Sequence, residues 1–118
     1  MWKCILKAIR GAIFIDEDTQ DEVNLRTSQL MDKIYQINGI SDKDIISVIF
    51  SVTRDVTSLN PATAFRKAGH DLPLMCLQEA EFDGDHEMTI RVMVFANCED
   101  AKHVYENGAE ILKNGGER

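Results

Sequence analysis

The sequence lacks the residue patterns of metal centres and of nucleic-acid-binding surfaces. Its three histidines, His70, His86 and His103, are scattered along the chain, and no pair has the spacing of a zinc site. We therefore expect no bound metal. A net charge of −7, without a basic run or repeated aromatic residues, argues against nucleic acid as a partner.

Long apolar runs are also missing. No segment approaches the roughly 20 apolar residues of a membrane-spanning helix, so we expect no membrane partner. The charges within residues 1–10 are too closely spaced for the core of a signal peptide. The three cysteines, Cys4, Cys76 and Cys98, form no CxxC pair, and an odd number is typical of free thiols. These features predict a reduced, cytoplasmic protein.

Common catalytic motifs are absent as well. The chain contains no GxSxG element, no glycine-rich phosphate loop and no dinucleotide-binding fingerprint. What it does contain is an ordinary globular composition, with 118 residues of which 44% are hydrophobic and 28% charged. We expect a single domain over residues 1–118, in which residues 114–118 form a frayed tail.

The first half of the chain predicts a strand, a long helix and a second strand. Residues 3–15 are rich in isoleucine, and Gly11 among them indicates a bulge or the close approach of another group. The segment 19–22 fits a capping box for a helix that ends at Gly39, and residues 45–52 form the next strand. The apolar stripe of the helix is expected to consist of Val23, Leu30, Met31, Ile34 and Ile37.

The second half predicts a short helix, a hairpin and a final helix. Asn60-Pro61 is suited to begin a helix over residues 62–68. Residues 72–79 and 88–95 are apolar strands that Asp83-Gly84 would join as a hairpin, and a helix should follow Asn97. The order βαβ(α)ββα predicts an α+β fold, a mixed sheet covered by helices on one face. Its open face would pack against other copies of the chain.

A single arginine, Arg91, interrupts the apolar strand over residues 88–95. Burying this side chain is costly unless an anion meets it. A three-residue hairpin loop would put Glu79 directly opposite Arg91, whereas another loop length would move Glu79 to a neighbouring or diagonal position. The anion is therefore either Glu79 or a ligand.

Arg10 and Arg66 are further arginines within apolar elements, and together with Arg91, Glu79 and Tyr105 they form a candidate site. The guanidinium fork matches a carboxylate with two parallel hydrogen bonds, so this set indicates a site for a small polycarboxylate. Two structural ion pairs would explain the same residues.

Five short segments occur in the same order and at similar intervals in a known family. The chain resembles the monofunctional chorismate mutases of the trimeric α/β class, which is distinct from the all-helical class, over about residues 7–113. The segments are Ala8-Ile9-Arg10-Gly11-Ala12, Pro61-Ala62-x-Ala64-x-Arg66, Cys76-Leu77-Gln78-Glu79, Ile90-Arg91-Val92-Met93 and His103-Val104-Tyr105.

This resemblance implies a homotrimer that forms a pseudo α/β-barrel with active sites between subunits. It implies the rearrangement of chorismate to prephenate in aromatic amino-acid biosynthesis, without a cofactor or a covalent intermediate. Three catalytic roles carry over by motif. Arg91 would face the ether oxygen that gains negative charge, Arg10 would hold a substrate carboxylate, and Glu79 would hold the ring hydroxyl.

Other substrate-binding residues implied by the resemblance are Tyr105, Arg66, Cys76, Met75 and Leu112. Cys76 and Glu79 are three positions apart, so both can line one pocket only if a bulge or twist lies between them. Otherwise Cys76 is a buried small apolar residue. The chain departs from the family pattern at Asn60, Thr63, Met75 and Lys113, which affects affinity and entrance electrostatics more than the reaction type.

Two other functions remain open at this point. One is a non-catalytic trimer that binds a small carboxylate metabolite, since the fold alone does not decide function. Simple carboxylate capture would not need Glu79 to face the ligand, which favours the enzyme. The other is an interaction module in which Glu79 and Arg91 form a structural pair inside the sheet.

Overall fold

Five strands form one mixed sheet in the computed structural model, which describes residues 5–113. Two helices and two 3₁₀ turns, at 42–44 and 109–112, complete this described part of the chain. The strands are β1 (Leu6–Phe14), β2 (Ile45–Val52), β3 (Leu74–Gln78), β4 (Thr89–Asn97) and β5 (Val104–Glu106), and the helices are α1 (Gln20–Asn38) and α2 (Pro61–Lys67).

The spatial order of the strands is β3-β2-β4-β1-β5. The central strand β4 is antiparallel to both of its neighbours, β1 and β2, while the outer pairs β1·β5 and β2·β3 are parallel. Both helices pack on the same face, where Phe65 of α2 meets Phe50 of β2 with ring centroids 6.0 Å apart. The α+β class with a sheet covered by helices on one face is confirmed.

Helix α1 begins and ends where the sequence predicts. The Thr19 side chain accepts the N–H of Glu22, and Gly39 ends the helix in the left-handed region with φ of 63°. The other half of the capping box is not made, because the Glu22 carboxylate accepts the N–H of Asp16 instead, at 2.7 Å. Ile37 does not join the buried stripe, since 41% of it is exposed.

Gly11 lies where α1 crosses the sheet. A Cβ at this position would lie 2.9 Å from Ile34 Cδ1 and 3.0 Å from Val92 Cγ1. The predicted close approach of another group is therefore present, whereas the register of β1 and β4 is regular through Gly11. The irregularity lies in β2 instead, between Ile45 and Ser47.

The short helix α2 also follows its sequence signals. The Asn60 side chain accepts the N–H of Ala62 at 2.8 Å, and Pro61 occupies the first turn. Phe65 is 4% exposed and stacks on the His70 ring at a centroid distance of 4.0 Å. Because seven residues do not form a stable helix alone, this packing holds α2 in place.

The predicted hairpin between residues 72–79 and 88–95 is wrong. Strand β3 pairs in parallel with β2, and β2 separates it from β4. The reason is the helix between β2 and β3, because a strand–helix–strand unit returns the chain parallel to its start. Asp83-Gly84 consequently lies in a wide loop between non-adjacent strands.

The predicted final helix after Asn97 is also wrong. Residues 104–106 form β5, parallel to β1. The Asn38 side chain explains this path, since it accepts the N–H of Lys102 at 2.7 Å and donates to the Lys102 carbonyl at 3.0 Å. With both backbone groups of Lys102 bonded to α1, the chain enters β5 extended.

Two sequence-based expectations concern residues outside the described range, namely Cys4 and the tail 114–118. Across residues 5–113, no helix has the length and apolar character needed to cross a membrane.

Candidate active site

Most of the candidate residues lie on the face of the sheet that the helices leave open. One row of cross-strand neighbours runs across this face, because Ser51 is opposite Arg91, Arg91 is opposite Ala12, and Ala12 is opposite Tyr105. Residues paired in this way project from the same side of a sheet. The alternate residues of β4, from Ile90 to Ala96, are buried against the helices instead.

A second row lies beside the first and contains Arg10. Met75 is opposite Ile49, Ile49 is opposite Met93, and Met93 is opposite Arg10. Arg10 is therefore a diagonal neighbour of Arg91, a relationship in which the two residues are roughly 7–8 Å apart. Met75 is 54% exposed at the outer end of this row.

Glu79 follows β3 and forms an ion pair with Arg91. Its Oε2 lies 3.2 Å from Arg91 Nε, and the side chains are 22% and 47% exposed, respectively. The Ser51 hydroxyl donates to the same oxygen at 2.8 Å. Within the described chain, the Arg91 guanidinium has no other partner, so its terminal nitrogens are available to a ligand.

Ser51 is a site residue that sequence reasoning missed. It lies on β2, between the strands of Glu79 and Arg91, and fixes the carboxylate that faces the arginine. The only sequence signal is its polarity within an apolar strand, on the side opposite Phe50. That signal does not identify its partner, because the partner depends on the parallel pairing of β2 with β3.

Tyr105 and Leu112 lie at the other end of the first row. The 3₁₀ turn 109–112 folds back over β1 and β5, where Leu112 packs in a cluster with Ala12 and Ala109. Tyr105 packs against this cluster and is partly buried. The C-terminal segment thus covers the sheet at Ala12, the residue opposite Arg91.

Arg10 is linked to the segment before β5. Its backbone N–H donates to Nδ1 of His103 at 2.9 Å. Burial, and then the charge of Arg10, lower the pKa of His103 below its usual 6.5. Among the three charged side chains Arg10, Arg91 and Glu79, one positive charge is left unbalanced, and a neutral His103 adds none.

Cys76 and Arg66 are not on the open face. Cys76 is opposite Phe50, packs against the main core, and burial raises the pKa of its thiol. The register of β2 with β3 is regular, and the N–H of Glu79 continues it by donating to Val52, so no bulge brings Cys76 beside Glu79. Arg66 is exposed on α2, which packs on the helix-covered face.

A cavity of about 560 Å³ lies at the end of the sheet, beneath the loop that joins β3 to β4. Acidic side chains dominate its lining, among them Asp55, Glu81 and Glu87, with Arg54 as the basic residue. Glu79 also lines this cavity, so the cavity adjoins the arginine face. Its acidic lining repels anions, so a polycarboxylate is better suited to the side of Glu79 on which the arginines lie. Within residues 5–113 no group of three His, Cys, Asp or Glu residues is arranged to hold a metal ion.

The arrangement can bind and polarise an anionic molecule. Two guanidinium groups on neighbouring strands can hold two negative charges, and the fixed carboxylate of Glu79 can accept a hydroxyl donor between them. It offers no nucleophile–base pair, so the chemistry that suits it is electrostatic stabilisation of a reaction internal to the ligand.

Comparisons with known proteins all point to one family. The family model "Chorismate mutase type I" matches residues 6–115. The chain is 37% identical over 115 residues to "Chorismate mutase AroH" of Thermus thermophilus, covering 92% of this chain and 94% of that one. It is 30% identical to the Bacillus subtilis protein of the same name, with 92% and 91% covered. A solved chorismate mutase from Clostridium thermocellum superposes with a TM-score of 0.86 at 40% identity, covering 90% of this chain and 99% of that one.

Proposed function

Because the chain belongs to the type I chorismate mutase family, we propose that it catalyses the intramolecular Claisen rearrangement of chorismate to prephenate, the step that leads to phenylalanine and tyrosine. It is an isomerase, and its substrate and product are chorismate and prephenate. The observation that supports this proposal most strongly is the Glu79–Arg91 pair on the open face, with Arg10 as its diagonal neighbour.

The reaction needs no acid, base or redox partner. One C–O bond breaks while one C–C bond forms within the same molecule, and no proton or electron leaves it. The enzyme therefore has two tasks, to hold the compact reactive conformer and to stabilise the charge that separates as the C–O bond opens. A site without a nucleophile–base pair is suited to both.

Arg91 is the residue proposed to stabilise the transition state. It would donate to the ether oxygen, which gains negative charge as the C–O bond breaks. Its terminal nitrogens are available for this contact, because the ion pair with Glu79 involves Nε. Losing one such fixed donor typically lowers kcat by ~10²–10³-fold.

Glu79, Arg10 and Tyr105 are proposed to orient the substrate. Glu79, held by the Ser51 hydroxyl, would accept the ring hydroxyl of chorismate. Arg10 would bind a carboxylate with its guanidinium fork, and Tyr105 would pack beside it, next to Leu112. Met75 would line the outer end of the site, because it lies in the same cross-strand row as Arg10.

We also propose a homotrimer with active sites between subunits, in which the open faces form a pseudo-barrel core. Several apolar side chains on this face are exposed in the single chain, including Leu6 at 57% and Leu77 at 51%. Such a surface is typical of a subunit interface. Arg66 and Cys76, which lie away from Arg91 in one chain, would then contribute to the site of a neighbouring subunit. The single domain over residues 1–118 and a cytoplasmic location belong to the same proposal.

The two alternatives make different predictions. A carboxylate-binding trimer would bind chorismate without converting it. A purely structural Glu79–Arg91 pair should leave no donor of Arg91 open to a ligand, whereas within residues 5–113 the pair engages only its Nε. A surface ion pair contributes about 0–1 kcal/mol to stability, which gives little reason to retain an arginine in an apolar strand.

Chorismate consumption, followed by absorbance with purified protein, tests the proposal. We expect an acceleration of at least ~10⁶-fold over the uncatalysed reaction, the lower end of the range for enzymes. Saturable binding of chorismate without conversion would favour the carboxylate-binding trimer, and neither binding nor conversion would overturn both functions.

A further inference from the structure

The segment that precedes β5 is held by side-chain hydrogen bonds rather than by backbone pairing with β1. The parallel register of β1 and β5 begins at Gly11, which is opposite Val104. Continued by one residue, this register would put His103 opposite Arg10. Strand β5 begins at Val104, however, so the N–H of Arg10 lies just beyond the end of the ladder.

The backbone of Lys102 does not supply the missing acceptor, because Asn38 occupies it. The Asn38 amide bonds to the N–H of Lys102 at 2.7 Å and to its carbonyl at 3.0 Å. The imidazole of His103 takes the place of a strand partner for Arg10, with a distance of 2.9 Å from Arg10 N to His103 Nδ1. Both residues are exposed, so this bond has the modest strength of a typical hydrogen bond, and it fixes the backbone of Arg10 where the ladder ends.

We infer that His103 is a positioning residue for Arg10, and that it sets the place from which the Arg10 guanidinium reaches a substrate carboxylate. The inference rests on the proposed function, because it assigns Arg10 a carboxylate to bind. His103 acts through the backbone of Arg10 rather than by touching the substrate. Asn38 supports it by fixing the residue before it.

The geometry also defines the state of the ring. Nδ1 accepts a hydrogen bond from an N–H, so it carries no proton, and the neutral ring carries its hydrogen on Nε2. From β1 the ring faces the charge of Arg10, and on its own segment it follows Lys102, whose backbone is bonded to the neutral amide of Asn38. The lowered pKa agrees with a neutral ring at this position.

Two substitutions of His103 separate positioning from a general structural role. His103→Leu removes the acceptor, whereas His103→Asn keeps one, because the Asn side-chain oxygen lies at nearly the distance of Nδ1 from the backbone. Loss of one neutral hydrogen bond corresponds to roughly a two- to tenfold change. We expect His103→Leu to raise the KM for chorismate by about this factor and to change kcat less than about twofold. The reason is that a misplaced Arg10 would bind the substrate and the transition state more weakly by the same amount. His103→Asn should restore the KM.

Amide hydrogen exchange of Arg10 provides a readout that needs no substrate. The Arg10 N–H should be protected in the wild type and in His103→Asn, and should exchange about two- to tenfold faster in His103→Leu, the factor that corresponds to this one hydrogen bond. Should the leucine variant fail to fold, His103→Gln takes its place, because the longer side chain moves the oxygen away from Arg10 N.

The outcomes distinguish this inference from the function on which it rests. A wild-type protein that does not convert chorismate contradicts the proposed function. An active wild type whose KM is unchanged by His103→Leu, or whose KM rises equally in the leucine and asparagine variants, contradicts the positioning role alone. The positioning role is supported if the KM rises in His103→Leu but not in His103→Asn, and if the Arg10 amide exchanges faster only in His103→Leu.

Discussion

Glu79 and Arg91 form an ion pair across an intervening strand. Arg91 Nε lies 3.2 Å from Glu79 Oε2, although β2 separates β3 from β4. Two strand spacings are roughly 9–10 Å, a distance that an arginine and a glutamate can span only when extended towards each other. Ser51, on the strand between them, donates to the same carboxylate oxygen at 2.8 Å. The pair is thus held in one geometry before any ligand arrives.

Ser51→Ala should lower kcat/KM without unfolding the protein. The substitution removes the donor to Glu79 Oε2, and hydrogen bonds to charged groups contribute about 1.5–3 kcal/mol, so we expect a loss of roughly tenfold or more. Steady-state kinetics with chorismate measures this effect. Ser47→Ala, on the same strand and the same side, is the matched control and should leave kcat/KM within about twofold. Equal values for both variants would remove Ser51 from the site.

Gly11→Ala should destabilise the fold by about 1–2 kcal/mol. The new methyl group would lie 2.9 Å from Ile34 Cδ1 and 3.0 Å from Val92 Cγ1, and overpacking of this kind costs about 1–3 kcal/mol. Alanine also lowers the conformational entropy of the unfolded chain, which offsets only about 0.4–1 kcal/mol of this cost. Urea unfolding measures the difference. An unchanged or higher free energy of unfolding would show that α1 moves aside freely.

Asp18 should make stability depend on pH in the acid range. Burial opposes ionisation of this carboxyl, but hydrogen bonds from Ser58 and Thr57 outweigh it and lower its pKa from 3.8 to about 2. The folded state therefore binds fewer protons than the unfolded state between these values. The stabilisation is fully present above pH 3.8 and is lost as the pH falls towards 2.

Asp18→Asn should weaken this pH dependence and loosen the loop that precedes α2. The free energy of unfolding, measured by denaturant titration at several pH values, should fall less steeply in the variant between pH 4 and pH 2, the interval spanned by the two pKa values. Asp32→Asn, an exposed position on α1, should keep the wild-type slope. Identical slopes for wild type and Asp18→Asn would contradict the assignment.

Leu77→Asp should disrupt the proposed trimer. Leu77 is 51% exposed on the open face, so a carboxylate there is tolerated in one chain but costly once copies bury it. Sedimentation should show a smaller particle than the wild type. Leu25→Asp is the matched control, because Leu25 is 57% exposed on α1, outside the open face, and the wild-type mass should persist. A full-sized Leu77→Asp particle would place the interface elsewhere.

Elements whose boundaries are set by residues close together in the sequence were predicted correctly. Thr19 and Gly39 bound α1, and Asn60 begins α2, because a cap involves residues only a few positions apart. A sheet with helices on one face followed from the order of strands and helices along the chain. Arg91 could be identified as a candidate site residue because a charge within an apolar strand requires a partner wherever the strand lies.

Which strands lie side by side in the sheet could not be predicted from such local signals. Asp83-Gly84 is a turn signal, but the pairing of β3 depends on its packing with β2 and on the α2 crossover between them. A three-residue hairpin loop would have put Glu79 opposite Arg91, whereas the pair forms across β2. Ser51 was not predicted for that reason. The helix expected after Asn97 does not form because of a long-range contact, in which the Asn38 side chain bonds both backbone groups of Lys102.

The central claim concerns Arg91, and Arg91→Lys tests it most directly. Lysine keeps the positive charge but loses the planar fork that can face Glu79 and the ether oxygen together. The matched control is Arg26→Lys, since Arg26 pairs with Glu22 at 2.8 Å on α1, away from the open face.

The decisive measurement is kcat for chorismate in the two folded variants. We predict a loss of at least ~100-fold for Arg91→Lys, on the scale of removing one fixed donor, with kcat of Arg26→Lys within about twofold of wild type. A near-wild-type kcat in Arg91→Lys would contradict the role of Arg91 in stabilising the transition state.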